Sequence, residues 1–279
     1  MEGKVVMKNI YFSIVLIFSM ACSNPSTWVD TLPKPWTLSH DEMSQILPQF
    51  HQKFPDFHQR IKAINLWRVG TPYGIFKLGE EIAPDLDPII RVDTSDCTVH
   101  VLTTVAFSLS HNWKEAKEQM IQLHYKDQKP SFKSRWHYTS DRLMNHPVTV
   151  NITRKLLPES ELASIELILN QKENGSQFLD LDWTDKRIVY YIPSEKITLD
   201  LLQRIPELAG VAFVRKSYFK MGIVLAHEGY LLDKSRLVHA SSEVGKTVNV
   251  DFMSYYFRED GALFDGIMVS KFVEPTESK

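Results

Sequence analysis

The 279 residues of this chain are 43% hydrophobic and 24% charged, and the formal net charge at pH 7 is −2. This composition is typical of a globular protein with room for one large domain or two small ones. The near-neutral charge gives no support for binding to nucleic acid or to an anionic membrane surface.

The N-terminal segment, residues 1–22, has the features of an export signal. A basic start at Lys8 precedes an apolar run from Ile10 to Met20 and small residues up to Cys22. An apolar core of this length is too short to span a bilayer and is typical of a secretory signal. The stretch also resembles a bacterial lipoprotein signal, in which the cysteine is lipidated. We therefore expect an exported protein, periplasmic or attached to the envelope membrane through Cys22.

Helices are predicted along the first half of the chain. Ser39 and Glu42 match a capping box, so a helix starts there and is expected to end before Pro48. A second helix is predicted over residues 56–69. Its inward-facing residues are expected to be Phe57, Ile61, Ile64 and Leu66.

Three further helices are predicted from caps and from apolar spacing. Asp96 is the expected N-cap of a helix from Cys97 to about residue 109, and Asn112 with Glu115 starts the next one. In the stretch ESELASIELILNQ, apolar residues repeat at helical spacing, which predicts a helix over residues 159–171.

After residue 185 the sequence becomes rich in strands. The runs RIVYYIP and GVAFVRK predict two strands with a short helix, TLDLLQRI, between them. Four more apolar runs, MGIVLA, RLVHAS, TVNVDF and GIMVSKFV, predict an antiparallel meander. The expected fold class is α+β, with a helical N-terminal half packed on a strand-rich C-terminal half. One domain over residues 35–275 is expected, with an insertion around residues 120–185.

Cys97 is the candidate nucleophile. In an exported protein cysteines usually pair. Cys22 is removed with a secretory signal or lipidated in a lipoprotein signal, and either event leaves Cys97 without a partner. A buried structural cysteine would have apolar neighbours, whereas Cys97 follows a run of polar residues from Asp93 to Asp96. The first turn of a helix favours a thiolate and should lower the pKa of the thiol, although the aspartates oppose this effect.

A cysteine nucleophile normally takes a histidine partner that is distant in sequence and close in the fold. Among the ten histidines, His239 is distinctive because it lies near the end of a predicted strand, beside small residues that leave space for a second group. The alternative to a catalytic role is a structural histidine that forms hydrogen bonds at the end of a strand. His239 is the predicted imidazole partner of Cys97.

Several short motifs occur in an order that resembles one known family. DCTVHVLTTVAF is followed far downstream by GIVLAHEGYLLDKSRLVHASSEVGKTVNVDFMSYY, and GTPY and SRWHYTSDRL lie between the N-terminus and this second segment. Together they resemble papain-like cell-wall cysteine hydrolases of the NlpC class, and within it the N-acetylmuramoyl-L-alanine amidase-like family. The resemblance spans residues 60–273.

The resemblance implies a papain-like fold and hydrolysis of the amide between N-acetylmuramic acid and L-alanine in muropeptides, including anhydro-muropeptides. Cys97 would attack the lactyl carbonyl and form a thioester, and its own N–H would help to hold the oxyanion. Further residues match motif positions that are expected to bind substrate. They are Tyr73, Asp96, Arg135, His137, Tyr138 and Ser241. Arginine suits a carboxylate, and aromatic side chains suit a sugar or peptide face.

One position departs from the family pattern. Relatives carry the base histidine just before a strand, and in KMGIVL this sequence has Lys220 there, which is expected to line the cleft. Three interpretations remain open. His239 acts as the base in a Cys–His dyad; the alignment is shifted and His227 or His137 supplies the imidazole; or the site is degraded and binds muropeptides or a protein partner without catalysis.

The leading prediction is an exported cysteine amidase that acts on muropeptides. A stem-peptide endopeptidase and a non-catalytic envelope protein are the alternatives. The sequence has no spacing typical of a zinc site and no glycine-rich nucleotide loop, so neither a metal nor a cofactor is expected.

Overall fold

The computed structural model describes residues 25–275. The predicted export signal and Cys22 lie outside these residues. Within the described part of the chain, no helix combines the length and the apolar character that crossing a bilayer requires.

The described residues form helices and strands in a mixed order. The α-helices are α1 (Pro25–Val29), α2 (His40–Lys53), α3 (Phe57–Trp67), α4 (Cys97–Ser108), α5 (Trp113–His124), α6 (Thr139–Asn145), α7 (Thr153–Leu156), α8 (Leu199–Arg204) and α9 (Phe252–Tyr256). The strands are β1 (Thr149–Asn151), β2 (Ala163–Leu169), β3 (Asp185–Pro193), β4 (Leu208–Val214), β5 (Leu225–Leu232), β6 (Arg236–Ser241), β7 (Lys246–Asp251), β8 (Phe257–Arg258), β9 (Gly261–Ala262) and β10 (Gly266–Phe272).

An antiparallel sheet organises the molecule. Its strands run in the order β2-β3-β10-β4-β5-β6-β7, and β1 pairs with β10 beside this path. Strands β5, β6 and β7 follow one another as a meander, in which His239 of β6 pairs with Val248 of β7. The short strands β8 and β9 form a separate hairpin. An α+β fold with an antiparallel sheet is therefore confirmed.

Two apolar layers hold helices against opposite faces of the sheet. Helices α1 to α5 pack on one face, where they meet Tyr230 and Leu232 of β5. On the other face Leu231 of β5 packs with α8 and with Phe252 of α9. Because successive side chains of a strand alternate between faces, β5 contributes to both layers. The N-terminus of α4 is thereby held against β5.

Capping explains why several predicted helices are confirmed. Ser39 and Glu42 make both hydrogen bonds of a capping box at the start of α2. At the starts of α4 and α5, Asp96 and Asn112 accept hydrogen bonds from backbone N–H groups two or three residues into the helix. These side chains satisfy donors that the helix itself leaves free, so they mark the helix starts from local sequence alone.

The predicted end of α2 is wrong. The helix continues through Pro48 to Lys53. A proline inside a helix removes one hydrogen bond, but burial of Met43, Leu47 and Phe50, each fully inaccessible to solvent, offsets this loss. In α3 the predicted inward-facing residues are confirmed: Phe57, Ile61 and Ile64 are buried, and Leu66 is partly buried and packs against the same core.

The helix predicted over residues 159–171 is also wrong. Ala163–Leu169 forms β2 and pairs along its whole length with β3, from Ala163 opposite Tyr191 to Leu169 opposite Asp185. Short apolar runs fit both helical and strand spacing, and the partner strand determines the outcome here. Strand β2 lies at the edge of the sheet, in the segment predicted to be an insertion.

Candidate active site

A large cleft opens where the N-terminus of α4 meets β5 and β6. It encloses about 1170 Å³. Cys97 lines it together with two histidines, His227 and His239. Tyr73, Asp96, Arg135, His137, Tyr138 and Ser241, which the sequence predicts as substrate-binding residues, line the same cleft. A volume of this size is sufficient for a sugar-peptide fragment.

Cys97 is the first residue of α4, and Asp96 fixes its position. One carboxylate oxygen of Asp96 accepts the N–H of Val99 at 2.9 Å, and the other accepts the N–H of Phe76 at 2.9 Å. Asp96 therefore ties the loop that carries Phe76 to the helix that carries the thiol. The N–H of Cys97 belongs to the first turn of α4, whose N–H groups have no partner within the helix.

The environment of Cys97 raises the pKa of its thiol to about 12. The largest cause is burial, followed by the negative charges of Asp96 and Glu228. The backbone N–H of Glu228, which donates to the sulfur, and the hydroxyl of Thr98 oppose this rise. The predicted lowering of the pKa by the helix start is therefore wrong, first because the thiol is buried and then because Asp96 and Glu228 add negative charge beside it. The resting side chain is a neutral thiol.

Alkylation of Cys97 by iodoacetamide should accordingly be slow at pH 7. Only the thiolate reacts, so we expect the rate constant to rise about tenfold per pH unit between pH 6 and pH 9. Mass spectrometry of the peptide that contains Cys97 measures the rate separately from any labelling of Cys22. A rate that levels off below pH 7 would instead indicate a stable thiolate.

His227 of β5 and His239 of β6 form a hydrogen-bonded pair. His227 Nε2 lies 2.8 Å from His239 Nδ1. His239 is buried, with 2% of its surface exposed, whereas His227 is partly exposed in the cleft. Tyr255 of α9 packs on His239 with the ring centroids 4.5 Å apart. Both imidazoles line the cleft, and that of His227 is the more exposed of the two.

Two features of β5 allow this pairing. A Cβ atom at Gly229 would lie 2.9 Å from the Cβ of His239, so a larger residue there would push the second imidazole away. A bulge at Ala226, where β5 shifts register against β4, lies directly before His227. Bulges re-aim side chains next to active sites, and this one lies where β5 reaches the cleft.

Both histidines are neutral near pH 7. Burial lowers the pKa of His227 to about 3 and that of His239 to about 4. In a neutral pair one ring donates and the other accepts. If His227 Nε2 donates to His239 Nδ1, then His227 Nδ1 keeps a free lone pair and can accept a proton.

A buried ion pair lies behind the thiol. Arg142 of α6 donates to both carboxylate oxygens of Glu228, at 2.5 and 2.6 Å, and each side chain is about 4% exposed or less. The hydroxyls of Thr98 and Thr139 also donate to Glu228. Three elements of the site, α4, β5 and α6, therefore meet at one carboxylate.

The substitution Glu228→Gln should destabilise the fold strongly. It would leave Arg142 as a buried charge without a partner, which costs about 3–5 kcal/mol. Urea denaturation measures the free energy of unfolding. Glu166→Gln is the matched control, because its partner Lys186 is mostly exposed and such pairs contribute less than about 1 kcal/mol. A loss for Glu228→Gln no larger than for the control would contradict the expected role of this ion pair.

Tyr73 and Ser241 line the cleft near the end of β6, where the N–H of Tyr73 donates to the carbonyl oxygen of Gly245. The pKa of Tyr73 is raised by burial and by the neighbouring Cys97 and Asp96. Ser241 follows Ala240 at the end of β6 and accepts the N–H of Val244. The bridge between Tyr73 and Ser95 places the phenol beside the start of α4.

The other predicted binding residues have partners within the protein. Arg135 forms ion pairs with Glu80 and Asp85, so it is not a free cation for a substrate carboxylate. His137 Nε2 lies 2.6 Å from the carbonyl oxygen of Phe132, and burial lowers its pKa to about 4. The hydroxyl of Tyr138 donates to Asn170. These three residues shape the wall of the cleft opposite the histidine pair.

Lys220 does not lie in the cleft. It belongs to the 3₁₀ helix Lys216–Met221, and its side chain is exposed. Gly222 then adopts a left-handed conformation, and β5 begins only at Leu225, after most of the predicted strand MGIVLA. The strand with a histidine followed closely by a glycine is therefore β5, which carries His227 and Gly229. The interpretation that Lys220 replaces the base histidine is wrong.

Sequence reasoning missed three contributors to the site. No sequence pattern marks Glu228 and Arg142, because each resembles any other charged residue until the fold brings the two side chains together. Tyr255 lies in the motif DFMSYY, but nothing in that motif indicates contact with His239. His227 was kept open as an alternative base, on the interpretation that the alignment with the family is shifted.

No group of three or more potential metal-ligating residues that could hold an ion occurs in the part of the chain that the structure describes. The site consists of a neutral thiol and a histidine pair in a large cleft with polar and aromatic walls. A thiol, a proton acceptor and backbone donors at a helix start are the components of acyl-transfer chemistry. Together with the α+β fold, they define a candidate hydrolase.

Comparisons with known proteins agree with this class. The family model described as N-acetylmuramoyl-L-alanine amidase-like (AmiA-like) matches residues 64–262, well over half of the chain. The chain therefore belongs to the N-acetylmuramoyl-L-alanine amidase-like family. No curated protein matches it.

Solved structures share the fold at low sequence identity. Protein LPG0564 from Legionella pneumophila is 22% identical, with a TM-score of 0.70 over 86% of this chain and 97% of that chain. An N-acetylmuramoyl-L-alanine amidase from Bacteroides uniformis is 20% identical, with a TM-score of 0.62 over 78% of this chain and 99% of that chain. A putative xylanase from Bacteroides fragilis is 23% identical, with a TM-score of 0.57 over 75% of this chain and 99% of that chain.

Proposed function

We propose that this protein is an exported cysteine amidase that hydrolyses the amide between N-acetylmuramic acid and L-alanine in muropeptides, including anhydro-muropeptides. The single observation that carries the proposal is the position of the Cys97 sulfur. It lies at the start of α4 against the backbone N–H of Glu228, the residue that follows His227. The family membership supports a cell-wall amide as the substrate, and a helix start facing a histidine strand supports a papain-like, NlpC-class arrangement.

In the proposed reaction His227 is the base and His239 holds it in position. His227 Nδ1 takes the proton of the thiol while Sγ of Cys97 attacks the lactyl carbonyl carbon. The tetrahedral intermediate carries its negative charge on the former carbonyl oxygen, next to the N–H of Cys97 and the hydroxyl of Tyr73. The imidazolium of His227 donates through Nε2 to His239, and this bond is stronger than in the neutral pair because the donor is charged.

The intermediate then collapses with cleavage of the carbon–nitrogen bond. His227 gives its proton to the departing nitrogen of L-alanine, and the muramoyl group remains on Cys97 as a thioester. Water attacks the thioester carbonyl, His227 takes a proton from this water, and the returned proton restores the thiol. The products are a free carboxylic acid on the sugar and a free amino group on the stem peptide.

A neutral resting pair is compatible with this reaction. The thiol and the imidazole exchange the proton only when the substrate carbonyl is in place, so the transfer and the attack are coupled. Exclusion of water from the buried pair then strengthens the interaction of the imidazolium with the developing negative charge.

Product identity tests the proposal. Purified protein is incubated with an anhydro-muropeptide that carries a tripeptide stem, and the products are identified by mass spectrometry. We expect the intact stem peptide with a free L-alanine amino group. A cut within the stem would indicate an endopeptidase, and binding without any product would indicate a non-catalytic envelope protein; either result would overturn the amidase proposal.

Export is part of the proposal and rests on the N-terminal sequence, including a possible lipid attachment at Cys22. Fractionation of the source cells tests it. Recovery of the protein in the periplasmic or membrane fraction with residues 1–21 or more removed supports export, and a cytoplasmic protein with an intact N-terminus overturns it.

A further inference from the structure

The cleft contains one partly buried cation without an acidic partner. Arg215 follows β4 and lines the cleft. Among residues 25–275, it forms no ion pair with a carboxylate. The other cleft arginines are neutralised, Arg135 by Glu80 and Asp85 and Arg258 by Glu243.

Arg215 is held in a fixed position. Its Nη2 donates to the carbonyl oxygen of Leu263 at 3.0 Å, and its Cζ lies 5.0 Å from the ring centroid of Phe264. A guanidinium has five N–H donors, so the remaining donors are available to a ligand in the cleft. A planar cation that is already ordered loses little entropy when it binds a carboxylate.

Arg215 lies on the side of the cleft where the leaving group departs. Phe264, on which Arg215 rests, also stacks on His227, with the centroids 6.4 Å apart and the rings 8° from parallel. In the proposed reaction His227 protonates the departing nitrogen, so the peptide half of the substrate lies near this imidazole. The ring of Phe264 therefore connects His227 to Arg215, and Arg215 lies in the direction in which we expect the stem peptide to extend. Tyr255 provides a second reference point, because both Cys97 and Arg215 affect its pKa.

We propose that Arg215 binds the free α-carboxylate of the second residue of the stem peptide, and that it thereby selects stems that carry this charge. The inference rests on the proposed function. In a stem whose second residue is linked through its side-chain carboxyl, the α-carboxyl group stays free and ionised. It lies about two residues, or roughly 7 Å, from the scissile carbonyl. A bidentate contact between guanidinium and carboxylate gives both affinity and orientation.

This assignment moves the carboxylate-binding role from Arg135 to Arg215. Arg135 was predicted to bind a carboxylate because of its motif, but two internal carboxylates occupy its donors. Lys77 is the remaining cleft cation without an ion pair, and it differs from Arg215 in that its side chain is exposed and close to Asp85. Lys77 is therefore a suitable control for a general effect of positive charge.

The experiment compares two muropeptides that differ only in the second residue, one with the free α-carboxylate and one with the corresponding carboxamide. For the wild-type protein we expect kcat/KM to be about tenfold or more higher for the carboxylate. Arg215→Gln should remove this preference, so that kcat/KM becomes similar for the two substrates. Arg215→Lys should keep part of the preference, and Lys77→Gln should keep all of it.

The outcomes separate this inference from the proposed function. If the wild-type protein hydrolyses both substrates equally, or if Arg215→Gln keeps the preference, the amidase stands and the role of Arg215 is wrong. Loss of the preference in Lys77→Gln alone assigns the carboxylate to the lysine and also overturns the inference. If the wild-type protein hydrolyses neither substrate, the proposed function itself fails and the inference fails with it.

Discussion

Replacing Cys97 by serine should lower kcat/KM for muropeptide hydrolysis by about 10⁴-fold or more, the size of effect seen when a covalent nucleophile is removed. A serine hydroxyl is a weaker nucleophile than a thiol, and an alcohol gives up its proton to an imidazole less readily than a thiol does. Serine also fits the space of cysteine, so Asp96 can still cap the helix. Steady-state kinetics with a muropeptide substrate measures the effect.

Two measurements make this result interpretable. The melting temperature of Cys97→Ser should stay close to that of the wild-type protein. Calorimetry with Cys97→Ala should show that the muropeptide still binds. Turnover by Cys97→Ser within tenfold of the wild-type value would rule out Cys97 as the nucleophile.

Replacing His227 should have the second largest effect. His227→Gln is expected to lower kcat by about 10²–10⁴-fold, because glutamine cannot take the thiol proton or return it to the leaving nitrogen. His239→Gln should cost less, about 10–100-fold, since its role is to orient His227. An amide at position 239 can still accept a hydrogen bond from His227 Nε2.

The control for both variants is Lys220→Ala. The side chain of Lys220 is exposed and outside the cleft, so this substitution should leave kcat and KM unchanged. If His239→Gln is the more damaging of the two histidine variants, then His239 is the base and the proposed order of the pair is reversed. Equal activity of all three variants would show that neither imidazole takes part.

Local features of the sequence were sufficient to single out a candidate nucleophile. A cap acts over three residues, so Asp96 could be recognised as the start of α4 without knowledge of the fold. The same reasoning identified the cap at Asn112. The prediction of export, a thiol without a partner and a polar helix start then indicated Cys97 as the candidate nucleophile. Each of these inferences depends on residues that are neighbours in the chain.

The errors concern contacts between distant parts of the chain. β2 could not be distinguished from a helix until β3 paired with it. The expected low pKa of Cys97 ignored the burial of the thiol in the fold and the charge of Glu228, which comes near the thiol only because β5 packs on α4. The misplaced strand before Leu225 led to Lys220 being taken as the residue in the position of the base. In each case the deciding interaction is tertiary, and no local pattern encodes it.

Arg135 illustrates why a motif does not determine a role. Arginine is well suited to bind a carboxylate, and its position in the family motif favoured a substrate carboxylate. The fold supplies Glu80 and Asp85 instead. The sequence identified the type of interaction correctly but could not tell that both partners lie within the protein.

The most direct test of the central claim is to trap the covalent intermediate. Protein and anhydro-muropeptide are mixed, quenched in acid within the first turnover and digested, and the peptide that contains Cys97 is weighed by mass spectrometry. The mechanism predicts an adduct with the mass of the muramoyl group, labile to hydroxylamine and absent from Cys97→Ser. An adduct with the mass of a stem-peptide fragment, or full turnover with no adduct and with activity retained in Cys97→Ser, would contradict it.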